Sequence, residues 1–61
     1  MKIQVKIDSI EFEIQLDNVA GEVFWTLFKI QNCLAIKLNS GVCSDQRESA
    51  SKAMYAAFWH Q

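Results

Sequence analysis

The first sixteen residues alternate between apolar and polar side chains, except at Asp8-Ser9. The apolar residues are odd-numbered in residues 1–7 and even-numbered in residues 10–16. A period of two is typical of strands that bury one face. Directly opposed residues share a face of a sheet, so the pattern predicts a hairpin that turns at Asp8-Ser9. A four-residue loop from Ile7 to Ile10 would keep the same register and stays open on the sequence. This register pairs Val5 with Phe12 on the apolar face and Lys6 with Glu11 on the polar face.

The middle of the chain carries apolar residues at helical spacing. They recur between residues 20 and 38, after Asp17 or Asn18, either of which can cap a helix N-terminus. Gly41 can adopt the left-handed conformation that ends many helices. The spacing favours one helix of about 20 residues, roughly 30 Å long.

Two features of this segment support a different interpretation. Gln31 falls within the apolar stripe of the long helix, and Trp25 and Ile36 fall on its opposite face. In the alternative, the helix ends near Gln31, and a short third strand at 33–38 places Ile36 on the inner, buried face of the sheet. Both interpretations stay open on the sequence, with the single helix preferred because Leu, Ala and Lys are strong helix formers.

A C-terminal helix is predicted after Ser44 or Asp45. Asp45 followed by Glu48 has the spacing of a capping box. Small residues on this helix would allow another helix to approach closely. The predicted buried stripe consists of Ala50, Met54, Ala57 and Phe58, and the small residues are Ser51, Ala53 and Ala56.

Together these elements predict an α+β fold in one small domain, residues 1–61. An N-terminal antiparallel β-hairpin is followed by two α-helices (ββαα), with ββαβα and its strand at 33–38 as the alternative. The chain is 51% hydrophobic and includes two Trp and four Phe, which is enough for a core. We expect the apolar surplus to be buried partly against a second chain, because so short a chain has little interior.

The charge composition identifies no partner. Six basic residues stand against seven acidic ones, for a net charge of −1, whereas nucleic-acid binders usually show a basic patch. A nucleic-acid-associated regulator is retained as an alternative, and it requires four lysines to converge on one face. They are Lys2, Lys6, Lys29 and Lys37.

The two cysteines do not form a disulfide framework or a recognisable metal site. Cys33, Cys43 and His60 supply three soft ligands without paired spacing, so we expect no metal. The longest mainly apolar run, 23–28, is too short to span a membrane. Met1 leads directly into the strand pattern, so we expect no signal peptide. We expect a cytoplasmic protein with free thiols.

No constellation of residues predicts catalysis. Gly21 and Gly41 are the only glycines, so no phosphate-binding loop is present, and we expect neither a cofactor nor a small-molecule substrate. Cys43 lies near the start of the last helix, where the helix dipole favours a thiolate. A small thiol-dependent protein using Cys43 is therefore a second alternative, although His60 lies about 24 Å away along a continuous helix.

Aromatic residues outside the apolar stripes favour a binding role. Trp and Tyr dominate the energetics of protein interfaces, and Trp25, Ile36, Tyr55 and Trp59 are the predicted interface residues. The sequence thus predicts a small non-enzymatic interaction module, an accessory or inhibitory protein of bacterial or phage origin. It would act by occupying a partner protein's surface, and its expected partners are a second copy, another protein, or both.

Overall fold

Four antiparallel strands form one sheet in chain order, and a single helix follows them. This is seen in the computed structural model, which describes residues 1–60. The strands are β1 (Lys2–Ile7), β2 (Ile10–Val19), β3 (Glu22–Gln31) and β4 (Leu34–Cys43), and the helix is α1 (Gln46–Trp59). The helix packs on one face of the sheet, over β3 and its neighbours β2 and β4. The opposite face, called here the outer face, has no helix on it.

The predicted N-terminal hairpin is confirmed, together with its register. Val5 pairs with Phe12, Lys6 pairs with Glu11, and the turn is Asp8-Ser9. The ladder extends to Met1, whose backbone carbonyl accepts from the Leu16 N–H at 2.8 Å. The alternation of apolar residues was sufficient here because β1 and β2 each bury one face only.

All three hairpins close with two-residue turns whose residues have positive φ. The turns are Asp8-Ser9, Ala20-Gly21 and Asn32-Cys33, with φ between 49° and 81°. Positive φ at both central residues defines the type I′ turn, whose twist matches that of the flanking strands. Gly21 tolerates this conformation freely, whereas Ser9, Ala20 and Cys33 carry a steric cost.

The predicted ββαα order is wrong, and so is the ββαβα alternative. Residues 20–38 contain no helix but all of β3 and part of β4, so the order is ββββα. The segment 33–38 does enter a strand, but that strand is the fourth and has ten residues. Leu38 of this segment packs on the core, whereas Leu34 and Ile36 are exposed although their pairing with β3 puts them on the helix side of the sheet. Asp17 lies in β2 and Gly41 in β4, so neither one caps a helix.

The physical reason for this error is that β3 is apolar on both faces. Val23, Trp25 and Leu27 face the helix and are buried, while the intervening Phe24 and Phe28 lie on the outer face. This masks the period of two and leaves apolar residues that also fit a helical spacing. In β4 the pairing shifts by one residue opposite Leu27 and Phe28, which interrupts the alternation a second time.

The core lies between the sheet and the small residues of α1. Ser49, Ala53, Ala56 and Ala57 are buried against the sheet, and Asp45 caps the helix by accepting from the Arg47 N–H at 3.3 Å. The Ser49 hydroxyl donates to the Val23 carbonyl at 3.1 Å, which fixes the helix over β3. The predicted C-terminal helix is therefore present, but Phe58 of its predicted stripe is 54% exposed. The buried apolar residues of the sheet are Phe12, Ile14, Leu16, Val23, Trp25, Leu27 and Cys43.

Candidate functional site: an aromatic groove beside the helix

An open groove of about 650 Å³ runs between α1 and the neighbouring strands β3 and β4. Its volume lies within the range of about 300–1,000 Å³ that is common for ligand sites. Trp25 and Asn39 contribute from the sheet, and the remaining lining residues come from the helix. They are Glu48, Ser51, Lys52, Tyr55, Ala56, Trp59 and His60. We refer to this feature as the aromatic groove.

The helical wall of the aromatic groove follows one stripe of α1. Its residues recur every three or four positions from Glu48 to His60, which is the spacing of one helix face. Twelve residue steps at 1.5 Å each make this wall about 18 Å long. A trough of that length matches an extended segment of five or six residues, at about 3.3 Å each.

The floor of the groove is formed by Trp25. This residue is 6% exposed, and its indole lies over Gly41, where an added Cβ would come within 2.7 Å of the ring. Its indole Nε1 is buried and has no hydrogen-bond acceptor in the described part of the chain. A buried donor without an acceptor carries a desolvation penalty of about 1–3 kcal/mol, so the floor is not fully satisfied in the single chain.

The walls and rim combine exposed aromatic rings with charged groups. Tyr55 and Trp59 are 65% and 73% exposed, and their rings meet edge to face with centroids 6.1 Å apart. Glu48 and Lys52 lie one turn apart on the rim, with Nζ and Oε1 separated by 4.0 Å. An apolar floor inside a polar rim is the usual anatomy of a binding surface.

Three of the four predicted interface residues meet in this groove. Trp25, Tyr55 and Trp59 line it, although Trp25 does so as the buried floor and not as an exposed residue. The idea that Trp25 and Ile36 share the outer face of a middle helix is wrong, because both lie in strands. Ile36 pairs with Lys29, is 45% exposed and does not line the groove.

Asn39 and Gly41 were not predicted as part of the site. Both lie on β4 opposite residues of β3, where Gly41 pairs with Trp25 and Asn39 with Leu27. A glycine paired with a tryptophan across two strands would have indicated that the indole packs over β4, because only glycine leaves room for the ring there. That signal becomes visible only after residues 22–43 are recognised as a hairpin.

The thiol chemistry considered above is not assembled at this site. Cys43 is buried at the end of β4, whereas Cys33 is exposed in a turn. Cys43 and His60 flank opposite ends of α1, whose fourteen residues span about 21 Å. Across residues 1–60, no group of three His, Cys, Asp or Glu side chains is placed to hold a metal ion.

The four lysines named for nucleic-acid binding do not share one surface. Lys2 and Lys6 lie on β1, and Lys37 lies on β4 at the opposite edge of the sheet. Lys29 pairs with the buried Phe12 and so belongs to the helix-side face. The outer face between the two edges carries acidic residues of β2, which would repel phosphates.

Comparison of the chain with protein-family models, curated protein sequences and solved structures found no match. No helix in the described range of residues has both the length and the apolar character required to cross a lipid bilayer.

Proposed function

We propose that this chain is a small, non-enzymatic, cytoplasmic protein-interaction module that binds an extended apolar segment of another protein in the aromatic groove. The observation that carries the proposal is the convergence of Trp25, Tyr55 and Trp59 on one trough. Tyr and Trp are the residues most enriched at binding hot spots. An accessory or inhibitory protein that acts by occupying a partner's surface needs such a binding groove and no catalytic group.

The shape of the groove supports a peptide segment as the occupant. Its helical wall is about 18 Å long, which suits a chain laid along the helix better than a compact metabolite. The exposed rings of Tyr55 and Trp59 would cover one large apolar side chain of that segment.

The experiment is a selection of peptides from a random library displayed on phage. The folded protein serves as bait, and a Tyr55→Ser, Trp59→Ser double variant serves for counter-selection. We expect enriched peptides to share an aromatic or large aliphatic residue, because a single anchor fills the apolar part of the groove. A library that yields no peptide discriminating between the two baits contradicts the proposal.

The decisive comparison uses two adjacent aromatic residues of the helix. Trp59 lines the groove, whereas Phe58 is 54% exposed but lies outside it. Trp59→Ala should weaken binding of an enriched peptide by about 30-fold, the loss typical of a hot spot worth 2 kcal/mol. Phe58→Ala should change the dissociation constant less than about threefold. Equal losses for both variants would place the peptide elsewhere.

A further inference from the structure

The outer face of the sheet is apolar where a solvated face is normally polar. An antiparallel sheet with one wet face alternates apolar-in with polar-out. In β3, however, Phe24, Phe28 and Ile30 all lie on the outer face, and Phe24 is 42% exposed. On β4, Val42 and Ala35 pair with Phe24 and Ile30 and so extend this apolar stripe. The stripe lies opposite the aromatic groove and plays no part in it.

We infer that the outer face binds a second copy of this chain. The two sheets would pack face to face about a two-fold axis that runs parallel to the strands, above β3. This operation stacks β3 on its own copy and lays β4 of the partner over β2, with the reciprocal contact on the other side. The two helices and their aromatic grooves then point away from each other.

One pair of opposite charges on the outer face matches this operation. Glu13, Phe28 and Lys37 lie in one row across β2, β3 and β4, because Phe28 pairs with both of the other residues. The axis keeps the height along the strands, so it places Lys37 of each copy above Glu13 of the other. Stacked sheets lie about 10 Å apart, which a lysine and a glutamate side chain together can bridge.

The adjacent row also brings polar groups together. Gln15, Thr26 and Ser40 form the next row, so the Gln15 amide faces a hydroxyl of the second copy. The axis leaves β1 uncovered, and its outer residues Lys2, Gln4 and Lys6 are all polar and exposed.

The contact area is that of a small interface. Three strands at about 4.8 Å and ten residues at about 3.3 Å give a footprint of roughly 14 by 33 Å on each copy. The two copies together would bury about 900 Å², which is the size of a weak, reversible contact. An aligned crossing of about 30° keeps the central rows, those of Thr26 and Phe28, in register.

The test is a charge exchange read by mass in solution, with light scattering after gel filtration at several concentrations. The protein should give twice its 7.0 kDa chain mass. Glu13→Lys and Lys37→Glu should each raise the dimer dissociation constant at least about tenfold, because each variant sets like charges against each other twice. The Glu13→Lys, Lys37→Glu double variant should have a dimer dissociation constant within about threefold of that of the unchanged protein.

Lys2→Glu is the matched control, since it makes the same charge change on the outer face of the uncovered β1. It should leave the dimer unchanged, and circular dichroism should show that every variant is folded. A folded protein that stays at 7.0 kDa at every concentration would overturn the inference. So would a Lys37→Glu protein that dimerises as tightly as the unchanged protein, or a double variant that stays as weak as the single variants. None of these outcomes bears on peptide binding in the aromatic groove.

Discussion

Replacing Gly41 by alanine tests the floor of the aromatic groove. The new Cβ would lie 2.7 Å from Cε2 and Nε1 of Trp25 and 2.8 Å from Cζ2, whereas ordinary contact begins at 3.4 Å. The indole is only 6% exposed, so it can move away from the new methyl group only into the aromatic groove and at the cost of its packing contacts. Overpacking of this kind costs about 1–3 kcal/mol.

Two effects oppose each other at this position. Alanine in the interior of a strand is favoured over glycine by roughly 0.5–1 kcal/mol, which offsets part of the steric cost. The net loss of unfolding free energy should be about 1–2 kcal/mol. In a chain of this size each kcal/mol corresponds to roughly 4–8 °C, so the melting temperature should fall by about 5–15 °C.

A double-mutant cycle with Trp25→Leu separates the clash from other causes. Leucine lacks the ring atoms that the new methyl group meets, so Gly41→Ala should become neutral or slightly stabilising in that background. Trp25→Leu alone lowers the free energy of unfolding by about 3 kcal/mol, which is a large loss for so small a domain. All four proteins are therefore unfolded with urea in the same concentration of trimethylamine N-oxide, which stabilises folded states. Additive effects would show that the two residues do not touch.

Gly21→Ala is the matched control for the cycle. Its Cβ would meet nothing within 4 Å, but its φ of +81° makes alanine unfavourable. This change should cost about 1 kcal/mol in either background, because its origin is backbone conformation and not the indole. An unchanged melting temperature for Gly41→Ala itself would refute the description of the floor.

Three further substitutions test the fold. Ser49→Ala removes a buried hydrogen bond to the Val23 carbonyl at 3.1 Å and should lower the unfolding free energy by about 1 kcal/mol in urea titrations; no change would mean that the bond is not formed. Cys33→Gly relieves a φ of 64° in an exposed turn and should raise the melting temperature by a few degrees, whereas a decrease would exclude the type I′ turn. Asp45→Ala removes the N-cap and should cost about 1 kcal/mol, while Asp45→Asn, which preserves the acceptor, should cost much less.

The sequence was sufficient for the two ends of the chain. The hairpin of β1 and β2 and its register follow from alternation, because each strand buries a single face. The C-terminal helix follows from Asp45 and the apolar residues after it, although its buried face was misplaced. The helix meets the sheet through Ala53, Ala56 and Ala57, while Phe58 is exposed. These small residues let the helix backbone approach the sheet closely. Hydrophobicity alone predicts phenylalanine as more buried than alanine, so it selects the wrong face of the helix.

The centre of the chain could not be predicted by the same rules. A strand with apolar residues on both faces, such as β3, has no alternation to detect. The turns that bound it, Ala20-Gly21 and Asn32-Cys33, are weak signals compared with Asn-Gly. The sequence pattern predicts Trp25 as an interface residue on a helix, whereas the structure places it on β3 as the floor of the candidate groove. Gly41, which the pattern predicts as a helix terminator, lies in β4 beneath the indole.

The most direct test of the central claim is to titrate the protein with an enriched peptide. Nuclear magnetic resonance monitors the backbone and indole N–H signals of the protein during the titration. The two tryptophans give two indole N–H signals, one from the buried floor and one from the exposed wall. Binding in the aromatic groove predicts that the indole signals of Trp25 and Trp59 both shift and that the amides of Phe24 and Phe28 do not. Shifts confined to the outer face, with both indole signals unchanged, would contradict the proposed function.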